Sequence, residues 1–190
     1  EWQNPDGVPI SAIVFGGRRP STMPLVFQAF NWSHGVYLGA TMGSETTAAA
    51  IGLKKQVRRD PMAMLPFIGY NVGYYLHHWL DMRREIKNVP RIFHVNWFRK
   101  DGEGKFMWPG FGDNMRVLEW IIKNIKGEVD SKETAIGGMP NTSDINTGGL
   151  DTDEATMNAL LEVDAEAWLA GAVKRALGWA AGVLLSGVQS

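Results

Sequence analysis

Short apolar runs bounded by glycine or proline recur along the first half of the chain. Their short length and their content of β-branched and aromatic side chains are typical of buried strands. We therefore predict strands over residues 11–15, 25–30, 35–41 and 92–97.

Apolar positions at helical spacing follow in the second half. Residues 115–125 place valine, leucine and isoleucine on one face, which predicts an amphipathic helix. Asp113 or Asn114 is suited to cap its start, and Gly127 is suited to end it. The other predicted helices cover residues 67–82, 153–163 and 164–185.

Strands that alternate with helices predict an α/β, or mixed α+β, fold. The length of 190 residues is sufficient for one hydrophobic core. A net charge of −1 gives no field that would attract nucleic acid or an anionic membrane, so neither partner is expected. Cysteine is absent, which excludes disulfides and thiol chemistry and fits a reducing compartment. Because the first residue is Glu1 rather than Met, we expect a piece of a longer chain.

The most informative stretch is the loop of residues 97–114, which holds aromatic side chains among turn-forming residues. Aromatic faces held in place by a loop can stack on a flat ring, and one stack contributes roughly 1–3 kcal/mol. The side-chain amide of Asn114 can read a ring edge. The alternative is that the aromatics anchor a long loop to the core, and the residues alone do not decide between the two. The aromatic candidates are Trp97, Phe98, Phe106 and Phe111.

A second candidate is the segment Gly-Gly-Arg-Arg-Pro at residues 16–20. Arginine offers a planar fork of donors for phosphate or carboxylate, and glycine allows a ligand to approach the backbone closely. The alternative is a solvated surface turn, which these five residues alone favour. The histidines lack the spacing of a metal site, so core or surface roles are expected for them. They are His34, His77, His78 and His94.

Taken together, these segments resemble GTP-dependent phosphoenolpyruvate carboxykinase. The resemblance runs from Trp2 to about Pro140 and implies the C-terminal third of such an enzyme. The motifs that carry it include Phe-Gly-Gly-Arg-Arg-Pro at 15–20, Asp-Pro-Met-Ala-Met at 60–64, Ile-Phe-His-Val-Asn-Trp-Phe-Arg-Lys-Asp at 92–101 and Phe-Met-Trp-Pro-Gly-Phe-Gly-Asp-Asn at 106–114.

The family implies a reaction in gluconeogenesis that converts oxaloacetate and GTP to phosphoenolpyruvate, GDP and CO2, with Mn²⁺ and Mg²⁺. It also implies a mixed-sheet nucleotide-binding domain, incomplete here, over residues 1–140, with a linker and C-terminal helices over 141–190. The parent enzyme is expected to be monomeric and cytoplasmic, with mitochondria as the alternative compartment.

The resemblance also assigns roles to individual residues. Phe98 and Phe111 would sandwich the guanine, Trp97 and Phe106 would frame the pocket, and Asn114 would read the base edge. Arg18 would contact the transferred phosphate, and residues 44 to about 56 would form a mobile lid that closes over the site. The lid residues so implied are Ser44, Glu45, Thr47, Ala48, Ala49 and Ala50.

Other parts of the family's machinery do not occur in this sequence. The phosphate-binding motif Gly-x-x-x-x-Gly-Lys-[Ser/Thr] is missing, and the metal ligands and oxaloacetate-binding residues belong to upstream segments of the family. No metal ligand is therefore assigned in this chain, and the chain alone is expected to be inactive.

Departures from the family's pattern cluster at the lid. Gly43 and Leu65 each stand where the family has arginine, and Ile51-Gly52 stand where it has Glu-His. An altered lid beside an intact aromatic loop leaves two alternatives open, a guanine-nucleotide-binding module without catalysis or a structural fragment of a divergent relative.

Overall fold

The computed structural model of the chain describes residues 3–46 and 57–172. Strands in this part are β1 (Ala12–Gly16), β2 (Val26–Gln28), β3 (Gly43–Glu45), β4 (Val57–Arg59), β5 (Arg91–Val95), β6 (Lys132–Thr134) and β7 (Gly137–Met139). The α-helices are α1 (Trp32–Ala40), α2 (Val72–Glu85), α3 (Asn114–Lys126) and α4 (Glu154–Leu160), and residues 165–172 are also helical. Single 3-10 turns cover Pro61–Ala63, Leu65–Phe67, Phe111–Asp113 and Thr142–Asp144.

Five of these strands form one mixed sheet in the order β1-β5-β2-β7-β6. Strand β1 runs parallel to β5, whereas β2 pairs antiparallel with both β5 and β7, and β6 pairs antiparallel with β7. Strands β3 and β4 form a separate antiparallel pair. The predicted mixed α/β architecture is thus confirmed.

Hydrophobic cores lie on both faces of the sheet, because neighbouring residues of a strand point to opposite sides. Phe27 and Ile92 belong to a core that includes side chains of α1 and α2. Val26 and Phe93 belong to a second core, which includes side chains of α3 and α4. Strands β2 and β5 are therefore covered on both faces, which explains why their sequences are continuous apolar runs.

The predicted helix over residues 115–125 is confirmed as α3. Gly127 ends it in a left-handed conformation with φ of 73°. Glycine adopts this conformation without a steric cost, which is why it commonly follows a helix. Asp113 holds the N-cap position, but its side chain makes no capping hydrogen bond.

The predicted strand over residues 35–41 is wrong, because residues 35–40 lie within helix α1 and Thr41 caps its end. Asn31 caps the helix, with its side-chain oxygen accepting from the His34 N–H at 2.9 Å. Gly35 and Gly39 lie one helical turn apart and pack closely on their neighbours. A β-carbon at Gly35 would lie 2.5 Å from Ile92 Cδ1. These glycines thus let the helix lie directly on the sheet.

Helix α2 begins later than predicted. Residues 65–67 form a 3-10 turn, and Asn71 then caps the α-helix by accepting from the Gly73 N–H at 2.8 Å.

Only the part of the predicted helix 164–185 up to residue 172 lies within the described residues, and it is helical from 165. Among the helices that can be described, none is long and apolar enough to cross a membrane.

Candidate functional site

The candidate site lies where β1 and β5 end. These strands are parallel neighbours, and Gly16 at the end of β1 lies opposite Val95 at the end of β5. Their carboxyl ends therefore meet at one edge of the sheet, which is the usual place for a ligand in an open α/β sheet. The chain leaves this edge in two loops, residues 16–20 after β1 and residues 96–113 after β5.

Hydrogen bonds hold Arg18 against β3. Its backbone N–H donates to Ser44 Oγ at 3.1 Å, and its carbonyl accepts from the Glu45 N–H at 2.8 Å. The guanidinium Nε–H of Arg18 donates to the Glu45 carbonyl at 3.1 Å. This contact uses one of the five N–H donors of the group and fixes the direction of the side chain.

A cleft of ≈ 200 Å³ lies between the two loops and β3. Gly17 approaches β3 so closely that a β-carbon there would lie 2.6 Å from the Gly43 carbonyl oxygen. Only glycine permits this approach without displacing the backbone. The cleft is lined by Gly16, Gly17, Arg18, Ser44, Val95, Trp97 and Phe98.

Asn96 joins the two loops from a buried position, with 0% of the residue exposed. Its Oδ1 accepts from the backbone N–H groups of Arg19 and Phe98, both at 3.2 Å. Its Nδ2 donates to the carbonyls of Arg19 and Met23, both at 2.9 Å. All four hydrogen-bonding positions of the amide are used. Asn96 therefore fixes the start of the aromatic loop relative to residues 16–20.

A turn shapes the aromatic loop beyond Phe98. The Asp101 carboxylate accepts from two backbone N–H groups of the turn, each at 2.9 Å. Lys100 and Phe106 pair across it, and the Lys100 ammonium lies 4.9 Å from the centre of the Phe106 ring. Phe98 meets Phe106 edge to face, with ring centres 5.9 Å apart. Phe98 and Phe106 thus support each other.

Phe111 is 95% exposed and follows Gly110 in the second half of the loop. Its φ of 49° lies in the left-handed region, which costs a residue with a side chain roughly 1–2 kcal/mol. The Phe111 ring is not buried against the core, and the Phe111 backbone is strained rather than relaxed. The ring is therefore not an anchor of the loop.

Asn114 begins helix α3, and its side chain contacts Trp108. The Trp108 Nε1–H donates to Asn114 Oδ1 at 2.9 Å. Trp108 is buried in the core beneath α3. The side chain that anchors the loop is thus Trp108 rather than any of the predicted phenylalanines.

Arg99 ties the aromatic loop to the C-terminal segment. Its guanidinium lies 3.4 Å from the Glu162 carboxylate and donates to the Glu162 carbonyl at 3.3 Å. Burial lowers the pKa of Arg99, and the attraction of the carboxylates of Glu162 and Asp164 opposes that decrease. Arginine stays charged at neutral pH, so the loop carries a fixed positive charge beside the cleft residues Trp97 and Phe98.

The structure brings several predicted site residues together and separates others. Phe106 lines a different depression of ≈ 390 Å³, and neither Phe111 nor Asn114 lines the cleft. Glu45 is connected to the cleft through its hydrogen bonds with Arg18. The predicted residues that line the cleft together are Arg18, Ser44, Trp97 and Phe98.

The predicted lid is described only at its start. Ser44 and Glu45 belong to β3, and Leu65 begins the 3-10 turn before α2. The lid residues Thr47, Ala48, Ala49 and Ala50 and the departures Ile51 and Gly52 lie outside the described residues.

Two functional candidates escaped prediction from the sequence, Asn96 and Trp108. Asn96 directly follows the buried strand β5, and a polar residue at the end of a buried strand is a signal that could have identified it. Trp108 has no such signal, because sequence alone does not tell a buried aromatic from an exposed one in the same loop.

Comparison with known proteins identifies the family. Residues 1–180 match the family described as phosphoenolpyruvate carboxykinase C-terminal P-loop domain. The chain belongs to this family. The resemblance drawn from the sequence motifs is thereby confirmed.

Relatives of this chain come from distant organisms. Phosphoenolpyruvate carboxykinase (GTP) of Anaeromyxobacter dehalogenans is 60% identical over 165 residues, which is 87% of this chain and 28% of the relative. The cytosolic enzyme of Gallus gallus is 53% identical over 88% of this chain and 27% of its own length. That of Chlamydia trachomatis is 52% identical over 90% of this chain and 28% of its own length. This chain thus spans between a quarter and a third of the length of these relatives.

The close approach of Gly17 to β3 makes a specific prediction. Gly17→Ala is expected to lower the free energy of unfolding by about 1–3 kcal/mol, because the added methyl group collides with the rigid Gly43 carbonyl. Urea unfolding measures the change. Gly102→Ala is the matched control, since a β-carbon at Gly102 meets nothing within 4 Å. Equal midpoints for the two variants would contradict the described packing.

Proposed function

We propose that this chain supplies the guanine-nucleotide end of the active site of a GTP-dependent phosphoenolpyruvate carboxykinase. The full-length enzyme would convert oxaloacetate and GTP to phosphoenolpyruvate, GDP and CO2, as a step of gluconeogenesis. The chain would provide an aromatic guanine pocket, an arginine for the transferred phosphate and the start of a lid. The pocket residues proposed are Trp97, Phe98, Phe106, Phe111 and Asn114.

The observation that supports this proposal most is the shared lining of one cleft by Arg18 and Phe98. A guanidinium is suited to phosphate oxygens, and an aromatic face is suited to a base. The two residues come from segments far apart in sequence, and the parallel pairing of β1 and β5 brings these segments together. A cation and an aromatic face at the two sides of one cleft are suited to the phosphates of a nucleotide and to a base that extends out of the cleft.

The volume of the cleft limits what it would hold. At ≈ 200 Å³ it is smaller than the roughly 300–1,000 Å³ of pockets that enclose drug-sized ligands. We infer that it takes the part of the nucleotide nearest the phosphates, with the base reaching along the loop toward the exposed ring of Phe111. The same ring would then have a stacking partner that covers it.

Arg18 would act on the phosphoryl group during transfer. Negative charge on the transferred group must be balanced, and a fixed guanidinium does so without reorganisation at the moment of reaction. The Glu45 carbonyl and Ser44 Oγ hold Arg18 in place. Because both residues begin the proposed lid, closing the lid and placing the arginine would be coupled. Closure would also exclude water from the site.

The proposal assigns divalent metals to the full-length enzyme and no metal ligand to this chain. Mn²⁺ and Mg²⁺ would neutralise phosphate charge there. Within residues 3–46 and 57–172, no three His, Asp or Glu side chains lie close enough together to hold a metal ion. The described residues therefore do not fit a metal centre, and none of the roles proposed above depends on one.

One observation favours the alternative of a guanine-nucleotide-binding module without catalysis. At Gly43, where the resemblance implies arginine, a β-carbon would lie 2.7 Å from Val57 Cγ1 and 2.9 Å from Arg59 Nη1. Side chains of β4 thus fill the space that a larger residue would need, so the base of the lid differs from the family's pattern. Carboxykinase turnover by the full-length parent protein would reject this alternative.

Titration of the 190-residue chain with GTP, ATP and guanosine tests the proposed function, with tryptophan fluorescence as the signal. We expect saturable binding that prefers GTP to ATP. Arg18→Ala is expected to weaken GTP binding by about tenfold or more, because charged hydrogen bonds contribute about 1.5–3 kcal/mol. The affinity for guanosine, which has no phosphate, should stay unchanged.

Arg84→Ala controls for the loss of one positive charge, since Arg84 is exposed on α2 and its ion pair with Asp81 spans 3.6 Å. It should bind GTP as the unmodified chain does. Binding without preference for guanine, or an equal loss of GTP and guanosine affinity in Arg18→Ala, would count against the proposal.

A further inference from the structure

Trp108 fixes the orientation of the Asn114 amide. The distance from Trp108 Nε1 to Asn114 Oδ1 is 2.9 Å. An indole N–H donates a hydrogen bond and cannot accept one, whereas an amide has one accepting and one donating end. The accepting oxygen must therefore face Trp108. The Nδ2 group, with its two N–H donors, is directed away from it.

Burial makes this orientation difficult to reverse. Trp108 is 1% exposed and belongs to the core that contains Val117 and Trp120. If the amide turned over, two donors would face each other and the buried indole N–H would lose its acceptor. An unsatisfied buried donor carries the full cost of its desolvation. Asn114 is thus held as a donor toward anything that binds beside it.

We propose that Trp108 is a positioning residue that selects guanine over adenine by presenting Asn114 as a donor. Guanine carries an accepting oxygen at C6, where adenine carries a donating amino group. A group that only donates pairs with the guanine oxygen and meets the adenine amino group donor to donor. The inference rests on the proposed function, because it requires a purine base beside Asn114.

Trp108→Phe in the full 190-residue chain tests the inference. The substitution keeps an apolar aromatic side chain and removes the N–H, so the Asn114 amide becomes free to turn over. The ratio of GTP affinity to ATP affinity is expected to fall by about tenfold, which corresponds to about 1.4 kcal/mol. A role limited to packing would lower stability and leave this ratio unchanged.

Trp120→Phe is the matched control. Trp120 is 0% exposed in the same core, and its Nε1 has no hydrogen-bond partner. The same atoms are thus removed from the same core without the loss of a hydrogen bond. This variant should keep the GTP-to-ATP ratio of the unmodified chain, even where its thermal stability falls.

The outcomes separate the inference from the function on which it rests. An unchanged ratio in Trp108→Phe, or an equal fall in both variants, would overturn the role of Trp108 while the guanine site stands. Absence of guanine-preferring binding by the unmodified chain would reject the proposed function, and the inference with it.

Base analogues test the same orientation without a substitution, which covers the case that Trp108→Phe does not fold. Inosine triphosphate keeps the C6 oxygen but lacks the 2-amino group, and it should bind the unmodified chain within about threefold of GTP. The triphosphate of 2,6-diaminopurine riboside has an amino group at C6 and should bind as weakly as ATP. The reverse order would overturn the inference.

Discussion

Replacing Asn96 by alanine is expected to lower the free energy of unfolding by at least about 3 kcal/mol. The substitution leaves four backbone groups of the two loops without their partner, namely two N–H groups and two carbonyls. Each buried group left unsatisfied costs about 1–3 kcal/mol, and water that enters the space recovers part of this. Urea unfolding of the 190-residue chain measures the loss.

The same variant is expected to lose GTP affinity at temperatures where it is still folded. Without the amide, the start of the aromatic loop loses its two hydrogen bonds to Arg19, so the distance between the two sides of the cleft is held less precisely. A misplaced binding group loses much of its contribution. Asn96→Asp should be as damaging, because a carboxylate would face the carbonyls of Arg19 and Met23.

Asn124→Ala serves as the control for Asn96→Ala. Asn124 is also buried, and its side chain accepts from Arg91 Nη1 at 2.8 Å and donates to the Val129 carbonyl at 3.4 Å. It lies in α3 and does not line the cleft. The control should lose less stability and keep its GTP affinity. A loss below about 1 kcal/mol in Asn96→Ala, or equal effects of both variants on GTP binding, would contradict the role assigned to Asn96.

Elements with a complete local signal were predictable from the sequence. Helix α3 has an amphipathic pattern, and Gly127 ends it in the conformation that glycine favours. Strands β1, β2 and β5 are apolar runs with clear breakers, and they overlap the predicted ranges. In each case the information is local, so the sequence carries it directly.

Elements that depend on tertiary contacts were not predictable. Helix α1 contains β-branched and aromatic residues, and its glycines are explained only by the side chains they pack on, Ile92 for Gly35 and Phe15 for Gly39. Strands β6 and β7 have three residues each and no alternation, and Gly137 approaches the Gln28 backbone closely. A three-residue strand has too little pattern to be distinguished from a loop.

In the candidate site, too, some features have a local signal in the sequence and others depend on tertiary contacts. The aromatic loop and Arg18 were evident from residue types, but their shared cleft depends on the parallel pairing of β1 with β5. No local pattern specifies which strands become neighbours. The exposure of Phe111 and the burial of Trp108 likewise depend on packing, since both residues lie in one glycine-rich loop.

Phe111→Gly is expected to change stability and affinity in opposite ways. The ring is 95% exposed, so its removal takes away little buried contact. Glycine removes the cost of a φ of 49°, which is roughly 1–2 kcal/mol. It also gives the unfolded chain more conformational freedom, which lowers the free energy of unfolding by about 0.5–1 kcal/mol. The free energy of unfolding should therefore stay equal or rise by up to about 1.5 kcal/mol. GTP affinity should fall by about 1–3 kcal/mol, the contribution of one base stack.

Phe111→Tyr separates stacking from backbone strain, because tyrosine keeps the ring and the strain. It should bind GTP as the unmodified chain does and should show no gain in stability. Guanosine titrations of both variants then assign the loss to the base rather than to the phosphates. A marked loss of stability in Phe111→Gly with unchanged affinity would return Phe111 to the role of a packing anchor. Unchanged or higher stability together with weaker GTP binding in Phe111→Gly is the result expected of a stacking role, because the ring then contributes to binding and not to folding.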